Sequence, residues 1–338
     1  VTGPDPAVAA VRVAVRDHLA DVPPGELVLV ACSGGPDSLA LLAGATFEAP
    51  KAAVRVGAVV VDHGLQDDSA AVAARAAGQC RAVGAAPVLV RRVTVPPATR
   101  GGGPEAAARE ARYAALAQAA TELSAYRVWL GHTLDDQAEQ VLLALARGSG
   151  TRSLAGMPRR RTPYERPLLH LPKATTLAAC RAQGLEPWHD PTNTDPAYRR
   201  NRVRVALADL ERDLGPGLAR ALARTADLAR EDADALDALA GQARERLGDP
   251  PWPVADLAAH PHAIRGRLWR LLAAEAGCPQ TTAAHVGALN ALVDDWRGQG
   301  PVALPGGLVA VRHDGAIRFE RSAGLAGRGA GPATAGDG

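Results

Sequence analysis

Residues 27–38 read Leu-Val-Leu-Val-Ala-Cys-Ser-Gly-Gly-Pro-Asp-Ser, and no other stretch constrains the fold as tightly. Leu27 to Cys32 is an unbroken apolar run, which predicts a buried strand. It stops at Ser33-Gly34-Gly35-Pro36-Asp37-Ser38, and an apolar helical stretch begins at Leu39. A strand, a tight glycine turn and a helix N-terminus together make an anion cradle. Gly34 and Gly35 let the backbone approach an oxyanion closely. The first N–H groups of the helix lack intrahelical partners, and the helix dipole favours negative charge there. Ser33 and Ser38 offer hydroxyl donors. Asp37 would repel a bare phosphate, so it makes chemical sense beside a bridging Mg²⁺.

The kind of phosphate site can be narrowed. A Walker A loop needs Gly-Lys-Ser/Thr. Of 38 basic residues only two are lysine, Lys51 and Lys173, and each follows a proline, which excludes that loop. A dinucleotide fingerprint is matched only at Gly101-Gly-Gly103-Pro-Glu-Ala106, after a proline-rich stretch that is no strand. The Ser33–Ser38 turn is similar to the PP-loop of the ATP pyrophosphatase superfamily. That resemblance implies cleavage of ATP between its α- and β-phosphates, leaving an adenylylated substrate. The competing reading, a plain helix-capping turn, does not call for six specified residues in this setting.

The first two-thirds of the chain alternates strand and helix signals. Strands are predicted at 27–32, 54–61, 87–93 and 126–131, and helices at 37–45, 68–83, 104–123, 135–146 and 170–183. This alternation predicts an α/β fold with a doubly wound parallel sheet over residues 1–213, which the resemblance of the Ser33–Ser38 turn implies is a Rossmann-like PP-loop ATPase domain. Ligands of such sheets sit at the carboxyl ends of the strands, where Ser33, His63 and His132 all fall. Residues 147–165 read as an arginine- and glycine-rich connector, and 186–201 as a loop. Leu214-Gly-Pro-Gly217 marks a domain boundary. Beyond it, helices at 218–247, 261–276 and 282–297 and short strands at 301–304, 308–312 and 316–320 predict a smaller, mainly helical α+β domain over 214–322. The Gly/Ala-rich residues 323–338 are expected to be disordered.

Three further segments carry chemistry. Val59-Val-Val-Asp62-His63-Gly64 closes the second strand, where Asp62 and His63 could meet an adenosine or simply satisfy each other. His132-Thr133-Leu134-Asp135-Asp136-Gln137-Ala138-Glu139-Gln140 opens a helix. Asp136 and Glu139 share one face of it, while Ala138, Val141, Leu142 and Leu145 are expected to pack inward. Asp135 and Asp136 could be ordinary caps, a role that suits Asp135 better. Two carboxylates beside an ATP site could instead hold Mg²⁺ or receive an amine. On the helix carrying Ala108-Arg109-Glu-Ala-Arg112-Tyr113, Arg112 could reach the phosphates or a bound base. Arg147, Arg152, Arg159, Arg160, Arg161 and Arg166 form one basic segment, and Arg199, Arg200, Arg202 and Arg204 another. Both suit phosphate-backbone contacts.

Bulk properties remove other classes. The formal net charge is only +2, so nucleic-acid binding must rest on local clusters. Cys32, Cys80, Cys180 and Cys278 form no Cys-x-x-Cys pair, which suggests neither zinc nor an iron–sulfur cluster. Scattered thiols fit a reducing cytoplasm. The start of the chain does not read as a signal peptide, and no apolar run suits a membrane span.

Between residues 27 and 320 the chain resembles the bacterial tRNA(Ile)-lysidine synthases, in their shorter form with one C-terminal domain. The matching segments are Ser33–Ser38, Val61-Asp-His-Gly-Leu65, Ala108–Tyr113, Asp135–Glu139 and Leu142-Leu-Ala-Leu-Ala-Arg147-Gly-Ser-Gly150. They continue with Leu154-Ala-Gly-Met157, Arg166-Pro-Leu-Leu169, Trp188-His-Asp-Pro-Thr-Asn193 and Arg200-Asn201-Arg202-Val203-Arg204. Two positions depart from the pattern: Thr133 stands where a second histidine is usual, and Gln140 where threonine is common.

The resemblance implies a definite reaction. ATP and Mg²⁺ bind at Ser33, Gly34, Gly35, Pro36, Asp37 and Ser38, with Asp62, His63 and His132 nearby and Asp37 at the metal. The wobble cytidine of the isoleucine tRNA with a CAU anticodon is adenylylated. Free lysine then displaces AMP. Asp136 and Glu139 would act on the lysine amine, and Arg112 would offset charge on the α-phosphate. Arg147, Arg159, Arg160, Arg161, Arg200, Asn201, Arg202 and Arg204 would contact the tRNA, with the C-terminal domain gripping more of it. A homodimer is allowed. Alternatives are a PP-loop tRNA thiolase, which needs a sulfur-handling Cys-x-x-Cys that this chain lacks, a small-molecule amide synthetase of the same superfamily, and a non-enzymatic adenine-nucleotide sensor.

Overall fold

The computed structural model describes residues 3–64, 68–95, 104–148, 150–190, 195 and 199–322. The fold begins with a helix that the strand–helix alternation does not announce, α1 (Pro6–Leu19), capped by the Asp5 side chain on Ala7 N at 2.8 Å. There follow β1 (Leu27–Ala31), α2 (Pro36–Glu48), β2 (Arg55–Asp62), α3 (Ser69–Ala82), β3 (Val88–Arg92), α4 (Pro104–Glu122), β4 (Arg127–Leu130) and α5 (Leu134–Leu145). The 147–165 segment is not a bare connector: it holds α6 (Thr151–Leu154) and an antiparallel hairpin, β5 (Arg160–Arg161) and β6 (Tyr164–Glu165). Then come α7 (Lys173–Ala182) and α8 (Arg199–Leu214), the latter beginning inside the stretch expected to be loop.

The sheet order is β3-β2-β1-β4-β6-β5, parallel except for the β5–β6 hairpin. β1 is buried along its whole length, and its period of two divides it between two cores. Val28 and Val30 pack with α1, α2, α3 and α7. Leu27, Leu29 and Ala31 pack with Leu116 and Ala119 of α4. Helices thus cover both faces, as a doubly wound sheet requires. The chain runs outward from β1 through β2 to β3 and then returns to β4 on the other side of β1. That reversal opens a crevice at the carboxyl ends of β1 and β4.

The chain divides into two compact units after Arg230. This lies within α9 (Leu218–Leu247) and not at the Leu214–Gly217 break, where Gly215 and Gly217 only separate α8 from α9 with φ of 95° and 101°. The second unit continues with β7 (Trp252–Pro253), α10 (Val254–Ala258), α11 (His262–Glu275), α12 (Ala283–Asp294), β8 (Val302–Leu304), β9 (Leu308–His313) and β10 (Ala316–Arg321). Its antiparallel sheet has the order β7-β10-β9-β8. Aromatics are only 3% of the chain, yet Trp252, Trp269 and Phe319 meet here, with ring centroids 5.3 and 6.2 Å apart. No helix among the described residues is long and apolar enough to cross a membrane. Residues 323–338 lie outside the described residues.

Candidate active site

The turn after β1 is braced from within. Gly34 has φ of 80°, and a Cβ there would also stand 3.0 Å from the Ala76 Cβ on α3. Its carbonyl accepts from Trp188 N at 2.9 Å. Ser38 was expected to offer its hydroxyl outward. Instead its Oγ donates to Gly35 O at 2.9 Å and accepts from Ser33 N at 3.2 Å. Ser33 Oγ accepts from Gly35 N at 3.4 Å. Gly35 and Pro36 start α2 with no side-chain cap, which leaves the opening of the helix to backbone donors.

The turn is closed from the end of β4 by Gly131, a glycine to which no motif gives a role. A Cβ on Gly131 would stand 2.9 Å from Ser38 N and 3.0 Å from Asp37 C. Only a glycine allows the end of β4 to lie against the start of α2.

Asp37 is reached from α7. Thr176 Oγ1 donates to Asp37 Oδ1, and Lys173 Nζ is 3.8 Å from Oδ2. Burial pushes the Asp37 carboxyl up, opposed by Thr176 and Lys173 and reinforced by Asp136 and Asp135. Nothing local in the sequence connects α7 with Asp37. The only sign was that Lys173 opens a helix after a proline.

Asp62 and His63 do not satisfy each other. Asp62 Oδ1 accepts from Gly64 N at 2.9 Å, while His63 Nδ1 is buried without a partner. His132 Nδ1 is likewise buried and unpartnered. Burial lowers the pKa of both rings. The Arg112 charge lowers both further, and His132, also near Arg166 and Arg109, falls to about 3 despite Asp136. Arg112 therefore stands among His63, His132 and Asp136. Its own pKa is lowered by burial.

Asp136 is the capping carboxylate of α5, a role expected of Asp135. Asp136 Oδ2 accepts from Thr133 N at 2.8 Å and Thr133 Oγ1 at 3.1 Å. Thr133 is fully buried, so the residue in place of the usual second histidine is half of a capping box. Asp135 Oδ2 instead accepts from Lys173 N at 2.7 Å and ties α5 to α7. Glu139, 4% exposed, is held by the Arg204 guanidinium of α8, which also lies 3.9 Å from Asp136 Oδ1. Burial pushes the Glu139 carboxyl up and the Arg204 pairing opposes it. Leu145 is not packed inward but 49% exposed; Leu143 and Ala144 are buried in its stead. Gln137, also missed, is buried and bonds both Met157 N at 2.8 Å and Met157 O at 3.2 Å. Gly156, with φ of 58°, leaves the room this amide needs.

The arginine clusters are not uniform. Arg204 is committed to Glu139. Asn201 is buried and donates to Asp195 O at 2.7 Å while accepting from the half-buried Arg204 at 3.3 Å, so both are engaged by partners within the fold. Arg160 pairs with Asp21 at 2.8 Å and donates to Asp17 O at 2.9 Å, so one member of the 159–161 run already has protein partners. Arg147, Arg159, Arg161 and Arg202 are exposed, and Arg200 is half-buried. Arg166 is buried beneath Tyr113. Among the described residues, no group of three or more His, Cys, Asp or Glu converges as a metal site. Asp37 lies in the turn with Asp136 and Asp135 near enough to act on it, and its carboxylate suits Mg²⁺ held jointly with substrate phosphates.

The PP-loop domain family matches residues 11–211, and the TilS substrate binding domain matches residues 253–318. The tRNA(Ile)-lysidine synthase of Thermobifida fusca is 56% identical over 322 residues, 94% of this chain and 98% of the relative. Those of Leifsonia xyli and Streptomyces coelicolor are 54% and 47% identical, over 88% and 93% of this chain and 90% and 98% of theirs. Among solved structures, the U34-tRNA thiolase NcsA from Methanococcus maripaludis shares the fold at a TM-score of 0.54 and 19% identity, covering 66% of this chain and 79% of that one. A PP-loop closed by Gly131, an acidic helix beside it and full-length similarity to these relatives agree: the chain belongs to the tRNA(Ile)-lysidine synthase family.

Proposed function

We propose that the protein ligates free lysine to C2 of the wobble cytidine of the CAU-anticodon isoleucine tRNA, consuming ATP and releasing AMP and pyrophosphate. The observation that carries this reading is the juxtaposition of the open Ser33–Ser38 turn with the Asp136/Glu139 face of α5. In the first step the C2 oxygen of cytidine attacks the α-phosphorus. The bond to the β-phosphate bridging oxygen breaks and pyrophosphate leaves. In the second, the lysine side-chain nitrogen attacks C2, and the C2–oxygen bond breaks to release AMP.

The chain's own residues supply what these steps need. Backbone donors at the start of α2 cradle the phosphates, and Lys173 adds a cation beside Asp37. Arg112 offsets charge at the α-phosphate. Asp62 and His63, at the end of β2, border the adenosine, and the unpartnered nitrogens of His63 and His132 are available to a ligand. Mg²⁺ held at Asp37 would neutralise the triphosphate charge. The lysine ammonium must shed a proton before it attacks, and the Asp136/Glu139 pair receives it. Burial of Glu139 raises its basicity toward that task. Residues 253–318 would bind the tRNA body, and the four buried free thiols suit a cytoplasmic setting.

The test is pyrophosphate release from ATP with lysine and the unmodified tRNA, and with each omitted in turn. Release that requires the tRNA supports the reading. Release with small molecules alone would favour an amide synthetase, and none under any condition would favour a nucleotide sensor.

A further inference from the structure

Several arginines of the first unit are neutralised by carboxylates. Arg16 pairs with Glu48, Arg91 with Glu122, Arg127 with Glu165, Arg160 with Asp21 and Arg204 with Glu139. Arg109 and Arg166 differ. Among the described residues neither has a carboxylate partner, although Arg166 is only 5% exposed. Both guanidiniums donate to one oxygen, Tyr113 Oη, each at 3.4 Å. Arg109 also lies over the Tyr113 ring, 4.9 Å from its centroid. Arg166 Nη1 donates to Pro158 O at 2.9 Å, and its Nε is buried without a partner. A neutral phenol and a carbonyl do not compensate two cations, and leaving a charge buried without its counter-ion is costly.

The arrangement is that of an anion site whose walls are already built. Two guanidiniums converging on one oxygen gather several N–H donors around a single acceptor, a set that a phosphate oxygen can take up. Arg112, on the same helix as Arg109, acts on His132 together with Arg109 and Arg166, so the pair borders the crevice. The positive field also continues outward, because the exposed Arg161 of β5 bears on Arg166. A mononucleotide in the Ser33–Ser38 turn has no use for charge that extends toward solvent, whereas a polyanion does.

We propose that Arg109 and Arg166, bridged by Tyr113, form a second phosphate site, separate from the PP-loop, that takes a backbone phosphodiester of the substrate RNA beside the nucleoside being modified. It rests on the tRNA-ligase reading above. A phosphate held here fixes the strand while the target base is turned toward ATP.

The experiment measures binding of the unmodified CAU-anticodon tRNA across a salt series, and of ATP alone, for wild type, Arg109→Gln, Arg166→Gln and Tyr113→Phe. Thermal midpoints are recorded alongside. Each arginine variant should weaken tRNA binding about tenfold and reduce the log–log salt slope by roughly 0.7–0.9. ATP affinity should be unchanged. Tyr113→Phe keeps both charges but removes the oxygen that gathers them, and should weaken tRNA binding less than either arginine variant. If Arg166→Gln does not fold, the exposed Arg109→Gln carries the test. Weakened ATP binding with unchanged tRNA binding would assign the pair to the nucleotide. Unchanged binding of both would show that it holds no anion, and equal loss in Tyr113→Phe would reduce it to a helix prop. Wild type that does not bind the tRNA would overturn the tRNA-ligase reading and this site with it. Wild type that binds, with arginine variants that bind equally well, would overturn the site alone.

Discussion

At the scale of single residues, Asp136 has two tasks, and they make different predictions. Its Oδ2 caps α5 through Thr133. As a cap alone, Asp136→Asn would cost roughly 1 kcal/mol or less and leave turnover nearly intact. Acting on the lysine amine, it should cost at least ~10²-fold in lysidine formation. Turnover and denaturation midpoint, measured together, separate the two, and the account expects the large kinetic loss. His132 makes a prediction about pH. In the unfolded chain its ring takes up a proton near the ordinary 6.5, but in the fold burial and the arginines hold the pKa to about 3. The folded state thus binds fewer protons across that window. The stability it contributes is complete above 6.5 and is lost as the pH falls toward 3. His63 shifts in the same direction. His132→Gln should therefore lose less stability than wild type between about pH 7 and about pH 5 in urea titrations. Parallel losses in both proteins would contradict the buried, neutral ring.

At the scale of elements, α8 is docked on α5 by a charge. Arg204→Ala would leave the buried Glu139 without its cation, at a cost on the order of 3 kcal/mol. The side chain of Arg204 is 32% exposed, so solvent screening brings the loss toward the lower end. The salt slope of tRNA binding should not change. A variant of normal stability with a flattened slope would instead make Arg204 a phosphate contact. This pairing sets Arg204 and Asn201 apart from the exposed Arg199 and Arg202 of the same run. Arg200-Asn-Arg-Val-Arg204 looks like a basic run, and nothing within it shows that Arg204 and Asn201 turn inward. The same holds for Arg160, whose partner Asp21 lies just beyond α1. By contrast, the Ser33–Ser38 turn and the alternating strands and helices were legible because their signals are local: apolar runs, paired glycines and a proline at the start of a helix. The first helix was missed although Asp5-Pro6 marks its start, since Val8, Val11, Val13 and Val15 weaken a helical reading. Lys173, Thr176 and Gly131 reach the site only through long-range packing.

At the scale of the whole molecule, one unit carries the ATP crevice, and the other carries the residues that match the substrate binding domain. The second unit has an aromatic core of its own and a buried Arg265 held by Asp294 and Asn290. Its predicted boundary near residue 214 followed the glycines. The compact units divide inside α9, a 30-residue helix with buried alanines along its length, Ala226 and Ala233 as well as Ala240 and Ala243. The central claim concerns the product made by the whole chain. It is tested most directly by mass analysis of the unmodified CAU-anticodon tRNA after incubation with ATP, Mg²⁺ and isotopically labelled lysine. The account predicts that the wobble nucleotide gains the mass of one lysine less one water, carries the label, and forms in step with one AMP and one pyrophosphate. An unchanged wobble nucleotide, or one that has exchanged oxygen for sulfur, would contradict it.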